Sequence, residues 1–156
     1  MTHPVVAIDV EDPESAASRA CLDGYYRTLS AMIGEPFDPA ASLDPERDAL
    51  RPPLGAFFVA RVSGDAVGCC ALKGSGGPIG EIKRLWVGDK ARGLGAARLL
   101  MTAAEARARE LGMTTLRLDT NRALTVAIAM YRKHGWREIP AFNTEPYAHH
   151  WFEKTL

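Results

Sequence analysis

The stretch EIKRLWVGDKARGLGAA, residues 81–97, decides the fold of this chain. Apolar and polar side chains alternate over Glu81–Val87, and this alternation predicts a β-strand. A glycine-rich polar turn, Gly88–Gly95, follows the strand. The residues after the turn favour a helix that ends at Gly112. The stretch therefore predicts a strand and a helix joined by a tight turn.

The turn has the chemistry of an anion-binding site. Glycine lets the backbone approach a ligand closely, and the free N–H groups and the dipole at a helix start favour a phosphate or pyrophosphate. Arg92 can add a charge-assisted hydrogen bond. The glycine spacing is neither that of a Rossmann loop nor that of a P-loop. On physical grounds alone, a loop and helix cap without a ligand explains these residues equally well.

Further strands and helices are predicted on both sides of this stretch. The first element before it is a strand at Pro4–Val10. A helix follows, with Asp12 as its N-cap and Pro13 as its first residue, and it ends at Gly34. A loop-rich segment over Gly34–Pro53 then leads to a hairpin of Ala56–Val62 and Ala66–Leu72. The elements after the stretch 81–97 are a strand at Thr114–Asp119, a helix at Leu124–His134, and strands at Trp136–Ile139 and Tyr147–Lys154. This order predicts one mixed α/β sheet with helices on both faces.

Length, charge and cysteine content narrow the class of protein. The 156 residues fit a single domain over 1–156. Because 19 Lys and Arg balance 19 Asp and Glu, no net charge favours nucleic acid or an anionic membrane. Cys21, Cys69 and Cys70 have neither disulfide-framework nor zinc spacing, so we expect reduced buried thiols and no metal. With no secretory signal and no apolar run long enough to span a bilayer, we expect a cytoplasmic protein.

Three sequence elements in order resemble the GNAT acetyltransferase superfamily. Residues 92–97, RGLGAA, match the family pattern Gln/Arg-x-x-Gly-x-Gly/Ala. Glu81–Val87 is similar to the family's fourth strand, and residues 124–136, LTVAIAMYRKHGW, resemble its Ala-x-x-x-Tyr-x-x-x-Gly-Phe signature. The resemblance covers Ala56–Leu156 well and the first 55 residues only in outline.

The resemblance implies a fold, a reaction and a coenzyme site. The fold is a central, mostly antiparallel twisted sheet that splays between strands 4 and 5. The reaction moves an acetyl group from acetyl-CoA to a primary amine of a small-molecule or amino-acid-like acceptor by direct attack in a ternary complex. The residues expected to hold the coenzyme are Leu85, Trp86, Val87, Arg92, Gly93, Leu94, Gly95, Ala96 and Ala97. A homodimer is also compatible with the resemblance.

Three residues are candidates for proton transfer. Tyr131 aligns with the family tyrosine that lies near the coenzyme sulfur as general acid, although its apolar stripe also fits a core aromatic residue. Glu81 and Asp119 match base positions in two branches of the family, and Glu81 is slightly favoured. Alternatively, each acid is solvated or salt-bridged, with Lys83, Arg84 and Arg117 as nearby partners. Leu124 stands where many members have asparagine, so Asn121 becomes the candidate contact to the coenzyme.

The acceptor pocket is expected between the first helix, the loop after it and the last two strands. The residues predicted to line it are Tyr25, Tyr26, Phe37, Asn143 and His149. A packed, hydrogen-bonded His149 is the more favoured interpretation, on a strand that would place His149 and Trp151 on one face. Two other functions stay open: a catalytically weak acyl-CoA-binding sensor or interaction module, and a protein or peptide N-acetyltransferase.

Overall fold

The chain folds into a single sheet with helices packed against it. The computed structural model describes residues 4–39 and 47–156. The strands are β1 (Val6–Glu11), β2 (Ala56–Val62), β3 (Asp65–Lys73), β4 (Ile79–Val87), β5 (Thr115–Thr120), β6 (Arg137–Ile139) and β7 (His150–Thr155). The helices are α1 (Ala16–Ile33), α2 (Ala96–Glu110) and α3 (Thr125–Lys133), and Arg47–Leu50 and Asp89–Ala91 form short 3-10 turns.

The sheet is mostly antiparallel and opens in the middle. Its strand order is β1-β2-β3-β4-β5-β7-β6. In this order, β4 and β5 are the neighbouring strands that run parallel to each other. That pairing covers only Ile79–Glu81 on β4 and Thr115–Arg117 on β5. Both strands continue, β4 to Val87 and β5 to Thr120, without pairing further. The predicted splay between strands 4 and 5 is therefore confirmed.

A β-bulge lies on β4 where the opening begins. Cys69 of β3 pairs with Trp86, and Ala71 pairs with Lys83. An advance of two residues along β3 therefore corresponds to three residues along β4. The extra residue lies at Arg84, whose φ of 57° is in the left-handed region. Bulges bend a strand and are common beside functional sites. This bulge turns the second half of β4 away from β5.

Two apolar clusters on opposite faces hold the sheet between its helices. On the α1 face, Cys21 of the helix packs with the cluster that includes Phe57 and Cys69. On the other face, α2 and α3 pack on the cluster that includes Phe58 and Cys70. Alternate strand residues thus point to alternate faces, and the prediction of helices on both faces is confirmed. In the described part of the chain, no helix has both the length and the apolarity needed to cross a membrane.

Helix α1 begins three residues later than predicted. Its N-cap is Ser15, whose Oγ accepts a hydrogen bond from the Ser18 N–H at 3.1 Å. The prediction of Asp12 as the N-cap was wrong. The carboxylate of Asp12 instead accepts a bond from the Glu14 N–H at 2.8 Å and is ion-paired with Arg51. Asp12 therefore shapes the turn that leads into the helix.

The last strand is also shorter than predicted. Strand β7 begins at His150, whereas the sequence pattern favoured a start at Tyr147. A turn closed by Ala148 N–H to Glu145 O at 3.2 Å comes before it, and Pro146 in that turn has no N–H for strand pairing. His149 therefore lies ahead of the strand. Of the predicted loop-rich segment 34–53, residues 40–46 lie outside the described residues.

Gly24 lets helix α1 pack directly against the indole of Trp86. A Cβ at Gly24 would lie 2.5 Å from Trp86 Cζ2 and Cη2, and Trp86 Nε1 is held by Thr28 Oγ1 at 3.0 Å. Glycine to alanine inside a helix normally stabilises by about 1 kcal/mol, but overpacking costs roughly 1–3 kcal/mol. We expect Gly24→Ala to lower the free energy of unfolding in urea by about 1 kcal/mol. The Gly24→Ala/Trp86→Phe double variant should recover part of that loss, and an unchanged deficit would contradict the contact.

Candidate active site

A cavity of about 70 Å³ lies at the opening between β4 and β5. Residues 82–85 around the bulge form one wall, and residues 118–121 at the end of β5 form the other. Tyr131 of α3 borders it, together with the aromatic side chains Tyr25, Phe37 and Tyr147. The cavity is therefore built by the splay itself.

Tyr131 is both a core residue and a cavity residue. It is 5% exposed, and its ring lies 5.9 Å from the ring centroids of Trp136 and of Phe152. Burial raises the pKa of its hydroxyl far above the usual value, and the nearby groups Cys70, Tyr25 and Asp119 add to the rise. A phenol in this environment keeps its proton at neutral pH. It is therefore in the protonation state that a general acid requires.

Lys83 joins the two candidate bases. Its Nζ lies 3.4 Å from Glu81 Oε2 and 3.3 Å from Asp119 Oδ2. Burial alone would lower the pKa of Lys83, but the charges of Asp119 and Glu81 outweigh it, and the net shift is upward. Lys83 is therefore a buried cation between the two carboxylates. The alternative in which both acids are salt-bridged describes this geometry.

The two carboxylates differ in their access to the cavity. Asp119 borders it, with a side chain that is 11% exposed. Glu81 is not among the residues that border the cavity; it lies where β4 still pairs with Arg117 of β5. Its other oxygen, Oε1, is 3.7 Å from Lys73 Nζ. Of the two predicted bases, Asp119 is the one that borders the cavity, although the Glu81 side chain is more exposed, at 23%.

An aromatic wall closes the end of the cavity nearest α1. Phe37 contacts Tyr147 with ring centroids 4.5 Å apart, and Tyr25 packs edge-on to Phe37 at 6.4 Å. Tyr26 stacks on Phe37 at 5.5 Å but is not a cavity residue. The Tyr147 hydroxyl accepts a hydrogen bond from the Asp38 N–H at 3.0 Å. This wall is suited to the apolar part of an acceptor.

Besides Tyr26, two more of the predicted acceptor residues, Asn143 and His149, lie outside the cavity lining. His149 is exposed, and its Nδ1 accepts a hydrogen bond from the Arg122 N–H at 3.1 Å. Partial burial lowers the pKa of His149, and the charges of Arg122 and His150 lower it further. Asn143 lies behind Asp119 and donates to its Oδ2 at 2.8 Å. Both side chains therefore make protein contacts.

Two cavity residues in the turn before β7 were not predicted from the sequence. Tyr147 and Glu145 both border the cavity, and Glu145 is 7% exposed. Tyr147 lies in the C-terminal run that is rich in aromatic residues and histidine, and the composition of this run could have indicated a site residue. Glu145 had no such signal, because its position depends on how the turn folds back over β5.

Asn121 forms a turn at the end of β5. Its Nδ2 donates to Tyr147 O at 2.8 Å, and its Oδ1 accepts from the Ala123 N–H at 2.9 Å. It borders the cavity and is 8% exposed. Its amide thus ties the segment with Tyr147 to the edge of the cavity.

The turn before α2 has the shape of an anion cradle. Gly93 and Gly95 have φ values of 76° and 74°, and a Cβ at either would meet no atom within 4 Å. Gly95 is the N-cap of α2, which has no side-chain cap and no acid in its first turn. In the described residues, the N–H groups of Ala96 and Ala97 have no acceptor. An oxygen-rich anion can therefore approach these N–H groups.

The other predicted coenzyme residues surround this cradle. Arg92 is 78% exposed and pairs with Asp89 at 3.1 Å, and the Leu94 N–H bonds to Ala91 O at 3.2 Å. Leu85 borders the cavity. Trp86 and Val87 pair with β3, and since β4 pairs with β5 only as far as Glu81, their other edge has no strand partner. The backbone N–H and C=O groups on that edge can form hydrogen bonds with the amide groups of an extended ligand.

The histidine, cysteine, aspartate and glutamate side chains of residues 4–39 and 47–156 form no group of three or more that could hold a metal ion. Among the candidate groups for proton transfer and their partners, Tyr131, Asp119 and Lys83 border the cavity.

Comparisons with known proteins agree with this geometry. Residues 22–136 match the model of the Acetyltransferase (GNAT) family. The chain is 34% identical to a protein of Azospirillum brasilense named IAA acetyltransferase, over 140 residues that cover 89% of each. A GNAT-family acetyltransferase structure from Staphylococcus aureus matches with a TM-score of 0.76 at 16% identity, over 96% of this chain and 99% of that one. The PaiA N-acetyltransferase of Thermoplasma acidophilum in complex with coenzyme A matches with a TM-score of 0.70 at 15% identity, over 96% and 99%.

Proposed function

The chain belongs to the GNAT acetyltransferase family, and on that premise we propose that it transfers an acetyl group from acetyl-CoA to a primary amine of a small-molecule or amino-acid-like acceptor. One observation carries the proposal: the cavity between the splayed strands holds Tyr131 and Asp119 and lies at the end of β4 that leads into the glycine turn. A cytoplasmic location, a single domain and a homodimer stay predictions.

The chain's own groups fit the coenzyme. The N–H groups of Ala96 and Ala97 at the start of α2 would bind its diphosphate, with Arg92 as a further cation. The unpaired edge of Leu85–Val87 would bind the amide groups of its arm. A fold neighbour that holds coenzyme A supports this assignment. The thioester would then lie at the bulge, beside Tyr131 and Asp119.

The reaction has a complete proton balance with these residues. The neutral amine attacks the thioester carbonyl, a carbon–nitrogen bond forms, and the carbon–sulfur bond breaks. Asp119 accepts the amine proton, directly or through water, and Tyr131 donates its proton to the leaving thiolate. Backbone N–H groups of the β4 bulge stabilise the oxyanion. Solvent exchange then restores both groups.

The direct test is amine-dependent release of free CoA thiol from acetyl-CoA. The panel contains amino acids, monoamines, polyamines, peptides with a free N-terminus or lysine, and IAA, because one relative carries that name. Turnover with small amines supports the proposal. Turnover with peptides alone supports a protein or peptide N-acetyltransferase, and coenzyme binding with no turnover supports a sensor or interaction module.

The coenzyme site can be tested without an acceptor. We expect Gly95→Leu to weaken CoA binding at least about tenfold in calorimetry, since a side chain there enters the anion cradle. Gly112→Leu, at the other end of α2 with a φ of 82°, is the matched control. Both variants carry a left-handed strain of roughly 1–2 kcal/mol, but only Gly95→Leu should lose affinity. Equal CoA affinity in the two variants would refute the assignment of the turn.

A further inference from the structure

Asn143 connects Trp151 to Asp119 through its side-chain amide. Trp151 Nε1 donates to Asn143 Oδ1 at 2.8 Å, and Asn143 Nδ2 donates to Asp119 Oδ2 at 2.8 Å. The Glu145 N–H also donates to Asn143 Oδ1 at 3.3 Å. Asp119 and Trp151 are direct cross-strand partners on β5 and β7. The loop residue Asn143 therefore bridges two neighbouring strand positions.

The chemistry of the neighbours fixes the orientation of this amide. An indole N–H and a backbone N–H can only donate, and a carboxylate can only accept. A flipped Asn143 would set its NH₂ group against two donors and its oxygen against the carboxylate of Asp119. The amide therefore has one orientation that satisfies every neighbour, and Trp151, the Glu145 N–H and Asp119 all require it.

The consequence lies on Asp119. Its Oδ2 accepts from Asn143 Nδ2 at 2.8 Å and from Lys83 Nζ at 3.3 Å. Within residues 4–39 and 47–156, no hydrogen bond to Oδ1 is present. The other titratable side chains that border the cavity are Tyr25, Arg84, Tyr131, Glu145 and Tyr147, while Glu81 lies beyond Lys83 on β4. One carboxylate oxygen is thus bound by the protein, and the other is available to a ligand.

We infer that Asn143, oriented by Trp151, is a positioning residue. It holds Oδ2 of Asp119 by a hydrogen bond, and this leaves Oδ1 to accept the proton of the acceptor amine. The inference rests on the proposed function, since it needs Asp119 to receive the amine proton. It changes the predicted role of Asn143 from acceptor contact to support of the base. The turn that carries Glu145 and Tyr147 is thereby coupled to the reacting carboxylate.

A double-mutant cycle in kcat tests this role. We expect Asn143→Ala to lower kcat about tenfold in the wild-type background but less than about twofold in the Asp119→Asn background, because coupled residues are not additive. The KM for acetyl-CoA should stay unchanged. Asn143→Asp keeps an acceptor for Trp151 but cannot donate to Asp119, so it should lose at least as much kcat as Asn143→Ala. Equal losses from Asn143→Ala in both backgrounds would overturn the inference.

The indole N–H resonance of Trp151 gives a readout independent of turnover. Its proton shift should move in Asn143→Ala, which removes the acceptor, and stay close to the wild-type position in Asn143→Asp. A Trp151 resonance that does not respond to Asn143→Ala would overturn the orienting contact. Absence of amine-dependent turnover in the wild type would overturn the proposed function and this role together, whereas additive losses in an active enzyme would overturn the positioning role alone.

Discussion

Tyr131→Phe should lower kcat about 100-fold while leaving CoA affinity nearly unchanged, since a positioned proton donor contributes roughly 10²–10⁴ in rate. The phenyl ring keeps the packing of Tyr131 against Trp136 and Phe152. Among the described residues, none makes a hydrogen bond to the Tyr131 hydroxyl, so its removal leaves no buried group without a partner. The melting temperature should therefore change little. Steady-state kinetics, calorimetry with CoA and thermal unfolding check the three expectations.

The raised pKa of Tyr131 adds a pH dependence to this prediction. A phenol whose pKa lies above its ordinary value of about 10 keeps its proton to higher pH. Ionisation of Tyr131 should therefore not lower the wild-type kcat at any pH up to about 10. If Tyr131→Phe has the kcat of the wild type, Tyr131 is a core aromatic residue and another group protonates the thiolate.

Local signals explain why the centre of the fold was predictable from the sequence. The alternation of Glu81–Val87 and the glycines at Gly93 and Gly95 act within a few residues, and they gave β4, the turn and the start of α2. Gly34 ended α1 as predicted, in the left-handed conformation that glycine adopts at low cost. The resemblance supplied what these patterns lack: the splay of β4 from β5 and the choice of Tyr131 as a candidate acid.

The remaining features depend on contacts between distant parts of the chain. Asp12 has the composition of an N-cap, but Arg51 and the Glu14 N–H bind its carboxylate, and Ser15 caps α1. The start of β7 depends on a turn whose closing hydrogen bond is not visible in side-chain alternation.

The same limit applies to the site. Lys83 stands two residues from Glu81 and thirty-six from Asp119, and only the pairing of β4 with β5 brings its Nζ within 3.4 Å of both carboxylates. Asn143 had a plausible position for an acceptor contact, but its hydrogen bonds to Trp151 and Asp119 depend on the path of the loop before β7. Which of two acids borders the cavity is likewise a property of the folded chain.

Asp119→Asn should lower kcat about 100-fold, whereas Glu81→Gln should lower it by less than about threefold. The two variants form a matched pair, because each removes one negative charge from Lys83, at 3.3 Å for Asp119 and 3.4 Å for Glu81. Any effect that comes only from the charge balance around Lys83 should thus appear in both. The difference between them measures the additional role of Asp119 at the cavity.

Contact with the cavity, and not solvent exposure, is the ground for expecting Asp119 to receive the amine proton, since the Glu81 side chain is 23% exposed and that of Asp119 is 11% exposed. Asp119 borders the cavity and keeps Oδ1 available, while Glu81 lies at the point where β4 and β5 still pair. In Asp119→Asn the amide can still bind an amine but cannot take its proton, so kcat should fall with little change in the KM for acetyl-CoA. A larger loss in Glu81→Gln than in Asp119→Asn would return the role of base to Glu81. Equal losses would instead indicate that both acids act through the cation of Lys83.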